Sequence, residues 1–231
     1  ERLTGFPEPL FAGSETRLRR WRRSHHERIL REDLRDLTRI REIGLIESLV
    51  MLLPERIGSP LSLNALREDL NVAFATVQGW IQTLARLYFL FEIRPYAGRL
   101  ARTLRREAKV YLFDFSIIED PGARFENLVA LHLHKLCQAW TDWGYGDYQL
   151  HYVRDKEKRE VDFLITEQRR PYALIETKLS EETLSSSLYY FYERFKPTYA
   201  LQVVRNLPAQ TRLPADRGPV LLPAAHFLAL I

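Results

Sequence analysis

The chain has a single cysteine, a single methionine and no uncharged apolar run of roughly 18 residues or more. Each scarcity excludes something. One cysteine, Cys137, cannot make an internal disulfide and suits a reducing cytoplasm, where the protein is expected to reside. Without a long apolar run no membrane span is expected, and the opening ERLTGFPEPL does not read as a secretory signal. There is no G-x-x-x-x-G-K-[ST] and no other glycine-rich phosphate loop, so these residues cannot bind ATP by that route. No local Ser–His–Asp or Cys–His arrangement suggests nucleophilic catalysis. His132, His134 and Cys137 are spaced two and three apart on one helix and lack a second ligand pair, so a structural role is expected rather than zinc. The chain opens on Glu1 without a methionine and reads as a piece of a longer protein.

What is present is enough for a core: 46% of 231 residues are hydrophobic and 28% are charged. The net charge of +4 is unevenly placed. Ten arginines fall in 17–41 against four acids, and 94–109 carries Arg94, Arg99, Arg102, Arg105, Arg106 and Lys109 against Glu107 alone. Such clusters suit phosphate contacts, whose affinity comes largely from counterion release. A solvated helix face is the alternative, equally weighted for 17–41.

Three blocks follow along the chain. Residues 1–57 read as a helical region: Ser14 is a ready N-cap, the stretch after it has no Gly or Pro, and Leu45, Ile46, Leu49, Val50 and Leu53 recur at helical spacing. Residues 58–108 read as a helix-turn-helix with a wing, and Ser62 caps the first helix. The second helix, FATVQGWIQTLARLYF, puts Val77, Ile81, Leu84 and Tyr88 on an apolar stripe and Gln78, Gln82 and Arg86 on a polar face. In a DNA-binding version that polar face would read base edges in the major groove. Winged helices also serve as protein-docking modules. The extended FLFEIRP fits the wing.

Residues 109–231 open on a buried strand, KVYLFDFSI, and a boundary signal at Asp120-Pro121-Gly122. Helix and strand then alternate: RFENLVALHLHKLCQAW, YQLHYVR, VDFLI, YALIETK, SEETLSSSLYYFYERF and TYALQVV. The proline-rich tail reads as irregular packing with a short last strand. Trp140 and Trp143 read as a packed loop, and Tyr189 to Tyr192 as packing residues rather than a base-stacking platform. The expected class is α+β or α/β.

In YALIETK, Glu176 and Lys178 share one face of a strand, with Ile175 and Thr177 directed into the core. A buried strand face excludes charge unless the charge has a use. Asp162 lies fourteen residues before Glu176, on the preceding strand. Adjacent antiparallel strands about 4.8 Å apart would bring the two carboxylates within reach of one hard cation.

The pattern D…E-T-K across two strands, with Glu126 in RFENLVA on the helix before them, resembles the PD-(D/E)XK nuclease superfamily, a restriction-endonuclease-like fold. Val161 stands where that family often has proline. The resemblance implies that Asp162 and Glu176 ligate Mg²⁺ or Mn²⁺ with the Thr177 carbonyl. Glu126 would hold a metal-bound water or a second ion, and Lys178 would orient the attacking water or stabilise the developing phosphorane charge. GFPEPL, RRWRRSHHERILREDLRDLTRI, LLPERIGSPLSLNALREDL and ENLVA…EVDFLI…ALIETK, with Glu160 and Arg154, are together similar to the C-terminal region of a group of prokaryotic AAA+ ATPases. There an N-terminal P-loop ATPase, which would carry the ATP, precedes a domain of unknown function. That resemblance implies DNA and the AAA+ domain of the same polypeptide as partners, and is compatible with a homo-oligomer. Metal-dependent DNA cleavage is the first functional expectation. A catalytically inactive module of the same fold, binding DNA or protein and regulating the ATPase, is the second.

Overall fold

The computed structural model describes residues 3–29, 43–96, 107–181, 183–207 and 218–231. The chain divides into two units, one of Glu1–Glu92 with Lys109–Arg124, the other of Ile93–Ala108 with Phe125–Ile231.

In the first unit, α1 (Pro7–Ala12) begins on a proline, whose fixed φ suits a first helical turn, and ends at Gly13 with φ 61°. Ser14 caps α2 (Glu15–Glu27) as expected, its Oγ accepting from the Arg17 N–H. The helical reading of 14–57 continues in α3 (Ile43–Leu52), whose Ile46, Leu49 and Val50 are buried, as is Leu53 just beyond it. Residues 30–42 of that reading lie outside the described residues.

Ser62 caps α4 (Leu63–Asp69), and Asn71 turns the chain in the left-handed region at φ 52°, which Asn tolerates better than most residues. Helix α5 (Phe74–Arg86) buries Val77, Trp80, Ile81, Thr83 and Leu84. Tyr88, expected on this stripe, is instead 71% exposed. The helix has stopped at Arg86, and Tyr88 sits in the turn beyond it at φ 54°.

Strand β1 (Leu90–Pro95) carries the extended FLFEIRP segment, and β2 (Lys109–Leu112) is buried at every position. The strand expected over 109–117 stops early because Asp114 redirects the chain. Its Oδ1 accepts from the Ser116 N–H and hydroxyl, opening a 3-10 turn at Phe115–Ile117. Arg22 of α2 donates to the Ser116 hydroxyl at 2.8 Å and lies 3.6 Å from Asp114. Lys109, counted above among the phosphate-contacting cations, is fully buried and unavailable to a phosphate.

In the second unit the last residues of β1 run parallel to β3 (Tyr148–Arg154). Strand β3 pairs antiparallel with β4 (Glu160–Glu167), and β4 antiparallel with β5 (Arg170–Lys178). Strands β6 (Tyr199–Val204) and β7 (Val220–Pro223) then add in parallel. The result is a mixed sheet in an α+β arrangement. The β4–β5 turn is tighter than expected, only Gln168 and Arg169, both at positive φ. That backbone matches strand twist but is normally left to Asn-Gly.

Helix α6 (Pro121–Asp142) starts under an Asp120 cap and buries Phe125, Val129, Ala130, Leu133 and Cys137 at helical spacing. Helix α7 (Ser186–Phe195), capped by Ser185, packs Leu188 and Phe191 against Leu164, Leu174 and Ala200 of the sheet. Phe163, Ile165, Ala173 and Ile175, on the alternate positions of β4 and β5, are buried too, so both faces of these strands are covered. Two expectations are corrected here. Trp143 is 68% exposed rather than packed, and the chain ends in a helix, α8 (Ala224–Leu230), instead of irregular packing. Of the aromatic run only Phe191 is fully buried, and Tyr189 is exposed. No helix among the described residues is long and apolar enough to cross a membrane.

Candidate active site

The β4–β5 ladder pairs Phe163 with Ile175, so the next step along it sets Asp162 beside Glu176, two residues short of Lys178. The three side chains named from sequence are therefore gathered at one end of the two strands. Glu176 is buried, and its Oε1 lies 3.0 Å from Lys178 Nζ. Its Oε2 is buried without a hydrogen-bond partner. Asp162 Oδ2 accepts from both the N–H and the hydroxyl of Thr177, at 2.8 and 2.7 Å. Thr177 is accordingly half-buried and turned to Asp162, not sunk in the core as expected, whereas Ile175 is in the core.

Burial pushes the Glu176 carboxyl up, and the adjacent Asp162 adds to it, against the pull of the Lys178 ammonium, to about 8. Burial works against the Lys178 ammonium, but Glu176, Asp162 and Glu181 together outweigh it and raise the amine. Two carboxyl groups thus stand beside one ammonium. The donor set fits a hard divalent cation: two carboxylates, one with an unpartnered oxygen, on adjoining strands. Glu126 is half-buried on α6 in the same unit. Among the described residues no three His, Cys, Asp or Glu side chains are grouped so as to hold a metal ion. Glu160 pairs with Arg154 across the β3–β4 ladder at 3.3 Å.

Sequence reasoning overlooked Gln202. It stands on β6 opposite Glu176 and is fully buried. Its Oε1 accepts from the Ser185 N–H at 2.7 Å, and its Nε2 donates to the carbonyls of Glu181 and Thr183 at 3.3 and 2.8 Å. One amide thus ties down the segment that leaves Lys178 and enters α7, placing Glu181 4.0 Å from the Lys178 ammonium. The signal available was a lone glutamine inside the apolar run YALQVV.

Gln78, Gln82 and Arg86 are exposed on α5 at four-residue spacing, on one helix face as expected. Arg99, Arg102, Arg105 and Arg106 lie outside the described residues. Cys137 is buried, and burial pushes its thiol up to about 12, which makes it a core residue rather than a nucleophile.

Residues 3–120, a little over half of the chain, match the family described as Domain of unknown function (DUF8612). The chain belongs to the DUF8612 family. Residues 121–227 match a second family, Domain of unknown function (DUF4143). The two matches meet at Asp120-Pro121, so the DUF4143 part contains Asp162, Glu176, Lys178, Glu126 and Gln202, and the DUF8612 part contains the polar face of α5. No curated protein and no solved structure matches the chain.

Proposed function

We propose that residues 121–231 form a nuclease-like arm that hydrolyses DNA phosphodiesters with Mg²⁺ or Mn²⁺. The supporting observation is the buried Glu176, beside Asp162 and 3.0 Å from Lys178, with one carboxylate oxygen left without a partner. Asp162, Glu176 and the Thr177 carbonyl would hold the metal, and Glu126 a metal-bound water or a second ion. The bound cation would supply a Lewis acid for the phosphate and lower the pKa of a water. A bound cation would favour the ionised form of Glu176, against the burial that raises its carboxyl. Lys178 would orient the attacking water or stabilise the charge that builds on the phosphate oxygens. The upstream helices would act as a winged helix that presents Gln78, Gln82 and Arg86 to duplex DNA, with Arg99, Arg102, Arg105 and Arg106 on phosphates.

The same reading makes the chain the C-terminal arm of an AAA+ ATPase. The DUF4143 match supports it, since that is an AAA-ATPase-associated family. The test is cleavage of plasmid and single-stranded DNA by the purified chain with Mn²⁺. Asp162→Ala and Lys178→Ala should each abolish it. Full activity in both would sink the assignment.

A second reading has its own observation. Asp162 Oδ2 is held by two Thr177 donors, and Lys178 is already paired with Glu176. Those contacts suit a non-catalytic module that grips DNA or protein and regulates the ATPase. No metal density between Asp162 and Glu176 in a Mn²⁺-soaked crystal would favour it.

A further inference from the structure

The arginines of α2 divide by face. Arg19 is 3.9 Å from Glu15, Arg23 is 3.5 Å from Glu27, and Arg22 is engaged by Ser116 and Asp114. Arg17, Arg20 and Arg28 have no acidic partner among the described residues. These three line one open groove of about 690 Å³ between α1 and α2. At about 1.5 Å of rise per residue they span on the order of 16 Å along the helix.

Aromatic planes lie between the cations. Trp21 and His25 stack at 4.5 Å with an interplanar angle of 16°, and Phe6 covers the Trp21 ring at 4.8 Å. Across the groove Phe11 is 85% exposed, a large apolar ring standing in solvent. Among the described residues Glu8 is the one acid on the lining. A groove that alternates guanidinium groups, unpaired among the described residues, with ring faces is chemically suited to a chain of phosphates carrying planar bases. Guanidinium forks match phosphate oxygens, and bases stack on rings whatever their sequence. A duplex keeps its bases stacked on one another and cannot offer them to Phe11. A single strand can.

We infer that the α1–α2 groove is a binding site for single-stranded nucleic acid, with Arg17, Arg20 and Arg28 on phosphates and Phe11 under a base. This site does not depend on the phosphodiesterase reading, since none of its residues belongs to the Asp162–Glu176–Lys178 cluster.

The experiment measures fluorescence anisotropy of a labelled oligothymidylate of about 15 nucleotides, within the footprint of known single-strand sites. It uses the full chain in EDTA, so that hydrolysis plays no part. Each phosphate contact on a single strand contributes about −0.7 to the slope of log K against log salt, so the triple variant Arg17→Ala/Arg20→Ala/Arg28→Ala should flatten it by about 2. Between roughly 50 and 200 mM salt, the wild type should lose about 15–20-fold more affinity than the variant. Phe11→Ala should weaken binding about tenfold through lost stacking, with the slope unchanged. All four side chains are exposed, so the fold should survive.

Three results would each overturn the assignment: no binding by the wild type, a slope change of less than about one unit, or no effect of Phe11→Ala. A polyglutamate peptide that competes as well as the oligonucleotide at equal charge would show an acidic-protein groove instead.

Discussion

Replacing Gln202 with Leu removes three hydrogen bonds while nearly conserving volume. The amide is fully buried and serves the Ser185 N–H and the carbonyls of Glu181 and Thr183. A hydrogen bond is worth about 1 kcal/mol net, and a donor left buried without a partner costs about 1–3 kcal/mol. Glu181 and Thr183 are exposed, so their carbonyls can turn to water, whereas the Ser185 N–H opens α7 beneath a half-buried cap. The expected loss is therefore about 3 kcal/mol for Gln202→Leu. Gln202→Glu keeps the acceptor, loses both donors and sets a second carboxylate opposite Glu176, so it should cost more. Urea unfolding followed by far-ultraviolet circular dichroism measures both. With a slope of about 2 kcal/mol per molar, the Leu midpoint should fall by about 1.5 M. Hydrogen exchange localises the effect, with the Ser185 and Leu188 amides exchanging faster in the variant. If the midpoint moves by less than about 0.2 M and the Ser185 amide keeps its protection, the glutamine is not the anchor inferred here.

Two further outcomes are expected. Burial lowers His26, His132, His134 and His151 below the ordinary histidine value, so these side chains bind protons more readily in the unfolded chain. Their contribution to stability is full above a pH of about 6.5 and declines as pH falls below it. Glu176, raised in the fold, drifts the opposite way over part of that range. The melting temperature of Glu176→Gln should accordingly drop between about pH 7 and pH 5, and a flat profile would refute the argument. Gln168 and Arg169 both sit at positive φ in the β4–β5 turn, so replacing them with Asn-Gly should stabilise by about 1 kcal/mol, read as an upward shift in urea midpoint. A fall in midpoint would mean that their side chains hold the turn.

Local signals were legible from the chain alone. Ser14 and Ser62 cap helices because a short hydroxyl reaches the exposed N–H groups of a first turn, a property of a few consecutive residues. The two-residue period of YALIETK was enough to put Glu176 and Lys178 on one face, and their nearness to Asp162 followed from a short turn. Long-range partners were not legible in this way. Arg22 resembles its neighbours in sequence, yet only the fold carries Asp114 and Ser116 to it and leaves Arg17, Arg20 and Arg28 without acids among the described residues. Lys109 looked like one more surface cation until a strand buried it, and Tyr88 looked like core until the helix stopped two residues before it. Gln202 is the clearest case. Its partners lie seventeen to twenty-one residues upstream, and only the parallel pairing of β5 with β6 brings it beside Glu176. Residue type and spacing determined where Asp162, Glu176 and Lys178 could meet, since caps and strand faces depend on neighbours in the chain. How Thr177 holds Asp162, and which oxygen of Glu176 is left without a partner, was decided only by tertiary structure, because burial and pairing depend on what folds against each side chain.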